Sequence, residues 1–301
     1  MVRDCWNFTA PPFSGSLEPA TFHCGLPQEE ALARLEWLLE ERQRFALMVG
    51  EEGAGKSHLA AAAVRRLAGL GAEVAVLSLR GLAAGDWIDL LLSRLPLDPV
   101  SRAEALRPWQ KLENRLRENT LMERPTALLF DDLDHAPPDA IDGIARVVGA
   151  GEPLYGRTFV VATATPATVA RIPAAIRSRA AVRIELAGWD ERDVGGFVAA
   201  SLERVGGDAA VFSPDAVGTI TRFSGGSPRL VCQLAQLAIA AAAGDELERV
   251  DAAVVERVWR ELAPAAAART MHEPSAKEDA DDHEAAAAPP AKVRVVRKLW
   301  G

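Results

Sequence analysis

The sequence predicts an α/β fold: a parallel sheet with helices on both faces, followed by a small all-helical domain. Three observations predict it. Five short apolar runs alternate with helical patterns, and strands covered on both faces read as near-continuous apolar runs. The first run, Phe45-Ala46-Leu47-Met48-Val49, enters a glycine-rich loop and then a string of strong helix formers, His58 to Leu67. Near Gly188 the strand signals stop, and only helical periodicity remains to about Leu262.

Residues 1–27 are rich in Pro, Phe and turn residues and read as an ordered arm, anchored by Trp6, Phe8, Phe13 and Phe22. Gln28 to Arg42 is amphipathic, with Leu32, Leu35, Leu38 and Leu39 on one face. After the first strand, loop and helix, Ala72 to Leu79 is a second strand, followed by helices at about 85–95 and 102–121. Thr126 to Asp132 is a third strand ending in acids, and a helix covers about 138–149. Arg157 to Ala164 and Ala181 to Leu186 complete the sheet of a 28–187 domain. Helices at about 190–205, 214–223, 227–243 and 251–262 make a lid domain over 188–262. Residues 263–301 are rich in Ala, Pro, Glu and Asp and are expected to be a disordered tail with a basic end, Lys292 to Trp300.

The chain has 301 residues, enough for one large or two modest domains, and a formal net charge of -8. That charge disfavours non-specific binding to nucleic acid, although a local basic patch stays open. Cys5, Cys24 and Cys232 are odd in number, far apart and without metal spacing, which points to inert thiols in a reducing compartment. The first residues lack the apolar core of a secretory leader. The longest apolar run, Leu230 to Ala243, is interrupted by Gln233 and Gln236 and is too short to span a bilayer. A cytoplasmic protein with no direct membrane insertion is expected.

Gly50-Glu51-Glu52-Gly53-Ala54-Gly55-Lys56-Ser57 fits the phosphate-loop (Walker A) pattern G-x-x-x-x-G-K-[ST] at every fixed position. Glycines let the backbone curl its N–H groups inward, and the following helix presents its positive end to the same anion. Lys56 would reach the β- and γ-phosphates, and the Ser57 hydroxyl would ligate Mg²⁺. Before the tail the chain has only Lys56 and Lys111 as lysines, so Lys56 is not background. The expected nucleotide-binding set is Gly50, Glu51, Glu52, Gly53, Ala54, Gly55, Lys56, Ser57 and His58, with Arg229 from the lid. ATP and GTP are not distinguished, because no base-reading motif is visible.

Leu128-Leu129-Phe130-Asp131-Asp132 reads as a Walker B strand, with acids emerging where ligands bind in parallel sheets. Asp131 would hold Mg²⁺ through water, and Asp132 would polarise the attacking water. Thr163 or Thr165, at the end of the fourth strand, would contact the γ-phosphate or that water in the sensor 1 role, with Thr163 favoured. Arg177 or Arg179, with Arg171 as competitor, would act as an arginine finger across a subunit interface. In Ser224-Gly225-Gly226-Ser227-Pro228-Arg229, Pro228 opens a helix and Arg229 sits at its positive end, where the dipole gives it no stability; a sensor 2 role on the γ-phosphate explains it better.

Together these residues resemble the AAA+ ATPases, and among them the general secretion pathway protein A (ExeA-like) family. The resemblance covers about residues 5–262 and includes Trp6, Pro12-Phe13, Thr21-Phe22, Glu29 to Leu35, Phe45 to Glu51 and Gly225 to Leu230. It implies a homo-oligomer that binds ATP and Mg²⁺ and couples hydrolysis to remodelling or assembly of a protein partner. The family usually has Asp-Glu where this chain has Asp131-Asp132, which implies slow hydrolysis. Secretion members often add a membrane span and a wall-binding module after the ATPase, and this chain shows neither. Two alternatives are a DNA-linked helper ATPase and a slow signalling switch. The basic end, with Val293, Val295 and Leu299 among Arg294, Arg297 and Lys298, is a candidate docking strand or a plain solvated terminus.

Overall fold

The computed structural model describes residues 6–15, 21–97, 106–149 and 155–262, and Met1–Leu262 clusters as one compact unit. The expected tail and its basic end lie outside the described residues. The described strands form one five-stranded sheet in the order β2-β3-β4-β1-β5, with every neighbouring pair parallel. The strands are β1 (Phe45–Gly50), β2 (Glu73–Ser78), β3 (Thr126–Asp131), β4 (Thr158–Ala164) and β5 (Val182–Leu186). Every residue of β1 and β4 is buried, and edge strand β2 alternates in its exposure.

The two-residue period of a strand divides each interior strand between two cores. Phe45, Leu47, Leu128, Phe130, Val160 and Ala162 face one side. There they meet Trp87 and Leu91 of α3 (Asp86–Arg94), Leu112 and Leu116 of α4 (Pro108–Leu121), and Ile144 of α5 (Pro138–Gly149). Ala46, Met48, Ala127, Leu129 and Val161 face the other side. They pack on Leu35 and Leu38 of α1 (Leu26–Glu40) and on Leu59 and Leu67 of α2 (Lys56–Gly69).

The short helix α6 (Ala174–Arg177) precedes β5, and four helices follow the sheet: α7 (Glu191–Glu203), α8 (Pro214–Ser224), α9 (Pro228–Gly244) and α10 (Ala252–Leu262). Asp190 caps α7 by accepting from Asp193 N, and Ser213 caps α8 by accepting from Ala216 N. These helices share a third core, to which the arm contributes Phe8 and Phe13. Phe22 instead packs against the α1–α2 core, so the arm's aromatic anchors serve two cores.

Two boundaries differ from expectation. Helix α4 starts at Pro108 rather than near residue 102, because Arg107 is extended (φ -62°, ψ 145°), as the residue before a proline tends to be; 98–105 lie outside the described residues. Helix α1 runs from Leu26 to Glu40, starting before Gln28 because Pro27 favours its first turn, and Arg42 beyond its end takes a positive φ of 51°.

Candidate nucleotide-binding site

The phosphate loop leaves the carboxyl end of β1 and turns through Gly53 (φ +81°) and Gly55 (φ +88°), a conformation that glycine adopts without a Cβ penalty. Gly55 caps α2, and Lys56 is its first residue. A Cβ on Gly53 would lie 2.7 Å from Ser227 Oγ and 3.0 Å from Arg229 Cβ. Arg229 N donates to Gly53 O at 3.2 Å. The loop and the amino end of α9 are therefore in direct contact.

Lys56 Nζ donates to Gly50 O (2.7 Å) and Glu51 O (3.0 Å). Burial lowers the Lys56 pKa, against the upward pull of Asp132, Asp131, Asp134 and Glu52. Ser57 Oγ donates to Asp131 Oδ2 at 2.6 Å. The Thr163 hydroxyl donates to the other Asp131 oxygen and accepts from Asp132 N at 2.9 Å. Parallel pairing puts β3 beside β4, so their carboxyl ends emerge together. Asp132 adopts a left-handed φ of 58°, which Asp tolerates better than most residues.

Thr165 does not join this chain of bonds. Its N–H and hydroxyl donate to Asp134 Oδ2 at 2.9 and 3.1 Å, although the residue lines the cavity. Arg177 Nε donates to Ile172 O at 2.9 Å, Arg179 lies exposed against Gly149, and Arg171 ends a 3₁₀ turn on the surface. These three arginines are not brought to the cavity wall. Arg229 is, together with His58 and Glu52.

Two site residues were missed in the sequence. Arg80, just beyond β2, donates from Nε and Nη2 to the two Asp132 oxygens at 3.1 and 3.4 Å and lies 3.6 Å from Glu52. An arginine at the carboxyl end of a parallel strand was the available signal. The other is Asp134, whose partners are more than thirty residues away in sequence.

The cavity measures about 850 Å³, within the range of small-molecule sites. Its lining includes the phosphate loop, Arg80 and Asp132, together with Phe13, Phe22, His23, Trp189, Cys232 and Gln236. His23 meets Trp189 and Phe197 edge-on at 5.8 and 6.0 Å. Burial lowers its pKa, and Asp193 opposes the shift. Ser57 and Asp131 offer adjacent hard oxygen donors, the chemistry that suits Mg²⁺, which fills its remaining positions with water and phosphate oxygens. Among the described residues no group of three or more His, Cys, Asp or Glu is arranged to hold a metal, and Cys24 and Cys232 are free thiols.

No protein-family model matches the chain. It is 25% identical over 248 residues to general secretion pathway protein A of Aeromonas hydrophila, covering 80% of this chain and 45% of that protein, so it spans less than half the relative's length. The Aeropyrum pernix ORC2 protein, solved as ADPNP–ADP complexes, superposes with a TM-score of 0.63 at 16% identity, covering 84% of this chain and 72% of that one. The Thermotoga maritima RuvB Holliday junction branch migration motor gives 0.54 at 16% identity, covering 78% and 68%. The Drosophila ORC structure bound to DNA gives 0.63 at 16% identity, covering 88% and 67%. This chain has the AAA+ P-loop fold, with its nucleotide loop and Walker B-like strand in one parallel sheet, and over four fifths of its length it is similar to general secretion pathway protein A.

Proposed function

We propose that this chain is an AAA+ ATPase that binds ATP with Mg²⁺, hydrolyses it slowly and couples nucleotide state to remodelling or assembly of a protein partner. One observation carries the reading. Ser57, Asp131, Thr163 and Asp132 form a continuous bonded chain beside Lys56, and Arg229 of a separate helix is hydrogen-bonded to the same loop.

In this reading the amides from Gly50 to His58 and the positive end of α2 bind the phosphates. Lys56 takes the β- and γ-phosphates, and Ser57 and Asp131 hold Mg²⁺. Magnesium, when bound, neutralises charge on the phosphate oxygens. Asp132 orients the attacking water, Thr163 fixes both acids, and Arg229 neutralises the terminal phosphate. Arg177 or Arg179 acts from a neighbouring subunit, which makes the working unit a homo-oligomer. The similarity to general secretion pathway protein A supports a secretion-related partner. No described helix is long and apolar enough to cross a membrane, and we place the protein in the cytoplasm. The arm, the 28–187 ATPase domain and the 188–262 lid are proposed as its working divisions.

The test is ATP turnover against protein concentration, for wild type and Arg179→Ala, with light scattering alongside. Turnover per subunit that rises with concentration, together with larger particles and a loss in the variant, is expected. A monomer with near-zero turnover and tightly held nucleotide would instead indicate a switch. A DNA-linked ATPase is the second reading. It is favoured by the likeness to a branch migration motor and to a complex bound to DNA, and opposed by the net charge of -8. Salt-dependent DNA binding would select it.

A further inference from the structure

Asp134 sits on the 3₁₀ turn Leu133–His135 just after the Walker B-like pair and is only 5% exposed. Its Oδ2 accepts from Thr165 N (2.9 Å), from the Thr165 hydroxyl (3.1 Å) and from the Thr168 hydroxyl. Its Oδ1 is buried with no hydrogen-bond partner. Burial pushes the pKa up, but the bonds from Thr165 and Thr168 outweigh it and hold the carboxyl below its ordinary value, so the group is a buried anion. None of these partners is a cation.

A turn cap alone does not explain this arrangement. An asparagine would accept the same backbone N–H without adding a third negative charge to a turn that already carries Asp131 and Asp132. The placement is more informative. Thr165 lines the nucleotide cavity. Thr168 leads into the 3₁₀ turn Val169–Arg171, with Val169 N donating to Thr165 O at 2.8 Å, and then into α6, which ends at Arg177 with Arg179 just beyond. On the other side, His135 N donates to Asp132 O at 2.9 Å. One carboxylate thus joins the turn that carries Asp132, a wall of the nucleotide cavity and the root of the arginine-bearing segment.

We propose that Asp134 is a positioning residue: it clips the carboxyl ends of β3 and β4 together and so couples the Asp131–Asp132 pair to the Thr165–Arg179 segment. The inference rests on the ATPase reading above. It predicts an effect on turnover without a matching effect on nucleotide binding, because none of the three side chains belongs to the phosphate loop.

The experiment uses the full chain. Asp134→Asn, Asp134→Ala, Thr168→Val and Thr168→Ser are compared with wild type for affinity towards a fluorescent ATP analogue, kcat and KM for ATP, and melting temperature. For Asp134→Asn, analogue affinity is expected within about threefold of wild type and kcat about tenfold lower, the size of a small misplacement of reacting groups. Thr168→Val should lower kcat by about threefold, and Thr168→Ser, which keeps the hydroxyl, should restore it. Asp134→Asn preserves shape, so it carries the test if Asp134→Ala fails to fold. A folded Asp134→Asn with unchanged kcat overturns the inference, as does a parallel fall in affinity, kcat and melting temperature. A wild type that binds the analogue but never hydrolyses ATP sinks the ATPase reading itself, and this role with it.

Discussion

At the amino end of the sheet, where β2, β3 and β4 begin, buried charge is closed on itself. Arg115 of α4 grips Glu73 with Nε at 3.0 Å and Nη2 at 2.5 Å, and its remaining Nη1 reaches Glu118 at 2.9 Å. Asn119 donates to Thr126 at the start of β3 at 2.9 Å. At the carboxyl end, Asp131 and Asp134 are held mainly by hydroxyls and a backbone N–H, while Asp132 meets the half-exposed Arg80. A planar guanidinium facing a carboxylate is a finished, charge-balanced contact that holds a helix on a sheet. Carboxylates held by neutral donors keep a net negative field, and that field suits an arriving cation. The same sheet therefore uses its acids as mortar at one end and as a working surface at the other.

Four experiments break or sharpen this contrast. Arg115→Met should cost about 3–5 kcal/mol in urea unfolding, because it leaves buried Glu73 with only the longer ion pair to Arg124 at 3.8 Å, while nucleotide affinity in the folded fraction stays unchanged. A small stability loss would show that the amino end is not a closed pair. Lys56→Ala should do the reverse, lowering ATP turnover by about a hundredfold with a native circular dichroism spectrum. Retained turnover would remove the loop from the reaction. Gly53→Ala combines a positive-φ strain of about 1–2 kcal/mol with crowding of Ser227, and should weaken nucleotide binding by about tenfold in titration. The smallest effect concerns His23. Its folded pKa lies below the unfolded value of about 6.5, so its contribution to stability is present above that pH and is lost as pH falls through the lowered folded value. Melting temperatures of wild type and His23→Phe between pH 7.5 and 5.5 check this, and the variant should show the shallower slope.

The fold was legible because each interior strand had to be apolar on both faces, a strong local signal at Phe45–Val49 and Leu128–Phe130. The loop and Ser57 were legible because the phosphate-loop pattern fixes their spacing, and Asp131 because it ends an apolar strand. Arg80 was not, since its value comes from a partner 52 residues away, just beyond the neighbouring strand β3. Thr163 near the end of β4 and Thr165 just beyond it were both candidates, with Thr163 favoured. Asp134, reaching back from its turn, takes Thr165 and leaves Thr163 to the acids, and no local pattern carries that choice. The start of α4 differs from the expected 102 because Pro108 holds Arg107 extended.

The bond from Arg229 N to Gly53 O sets α9 on the phosphate loop as a lever on its fulcrum. Its 17 residues make an arm of about 25 Å at 1.5 Å per residue. A tilt of about 10° at the loop therefore sweeps the far end, near Gly244, through about 4 Å, a displacement as large as the spacing between packed side chains. Under the proposed ATPase function, gearing of that ratio would turn the gain or loss of one phosphate into a stroke that a neighbouring molecule can feel.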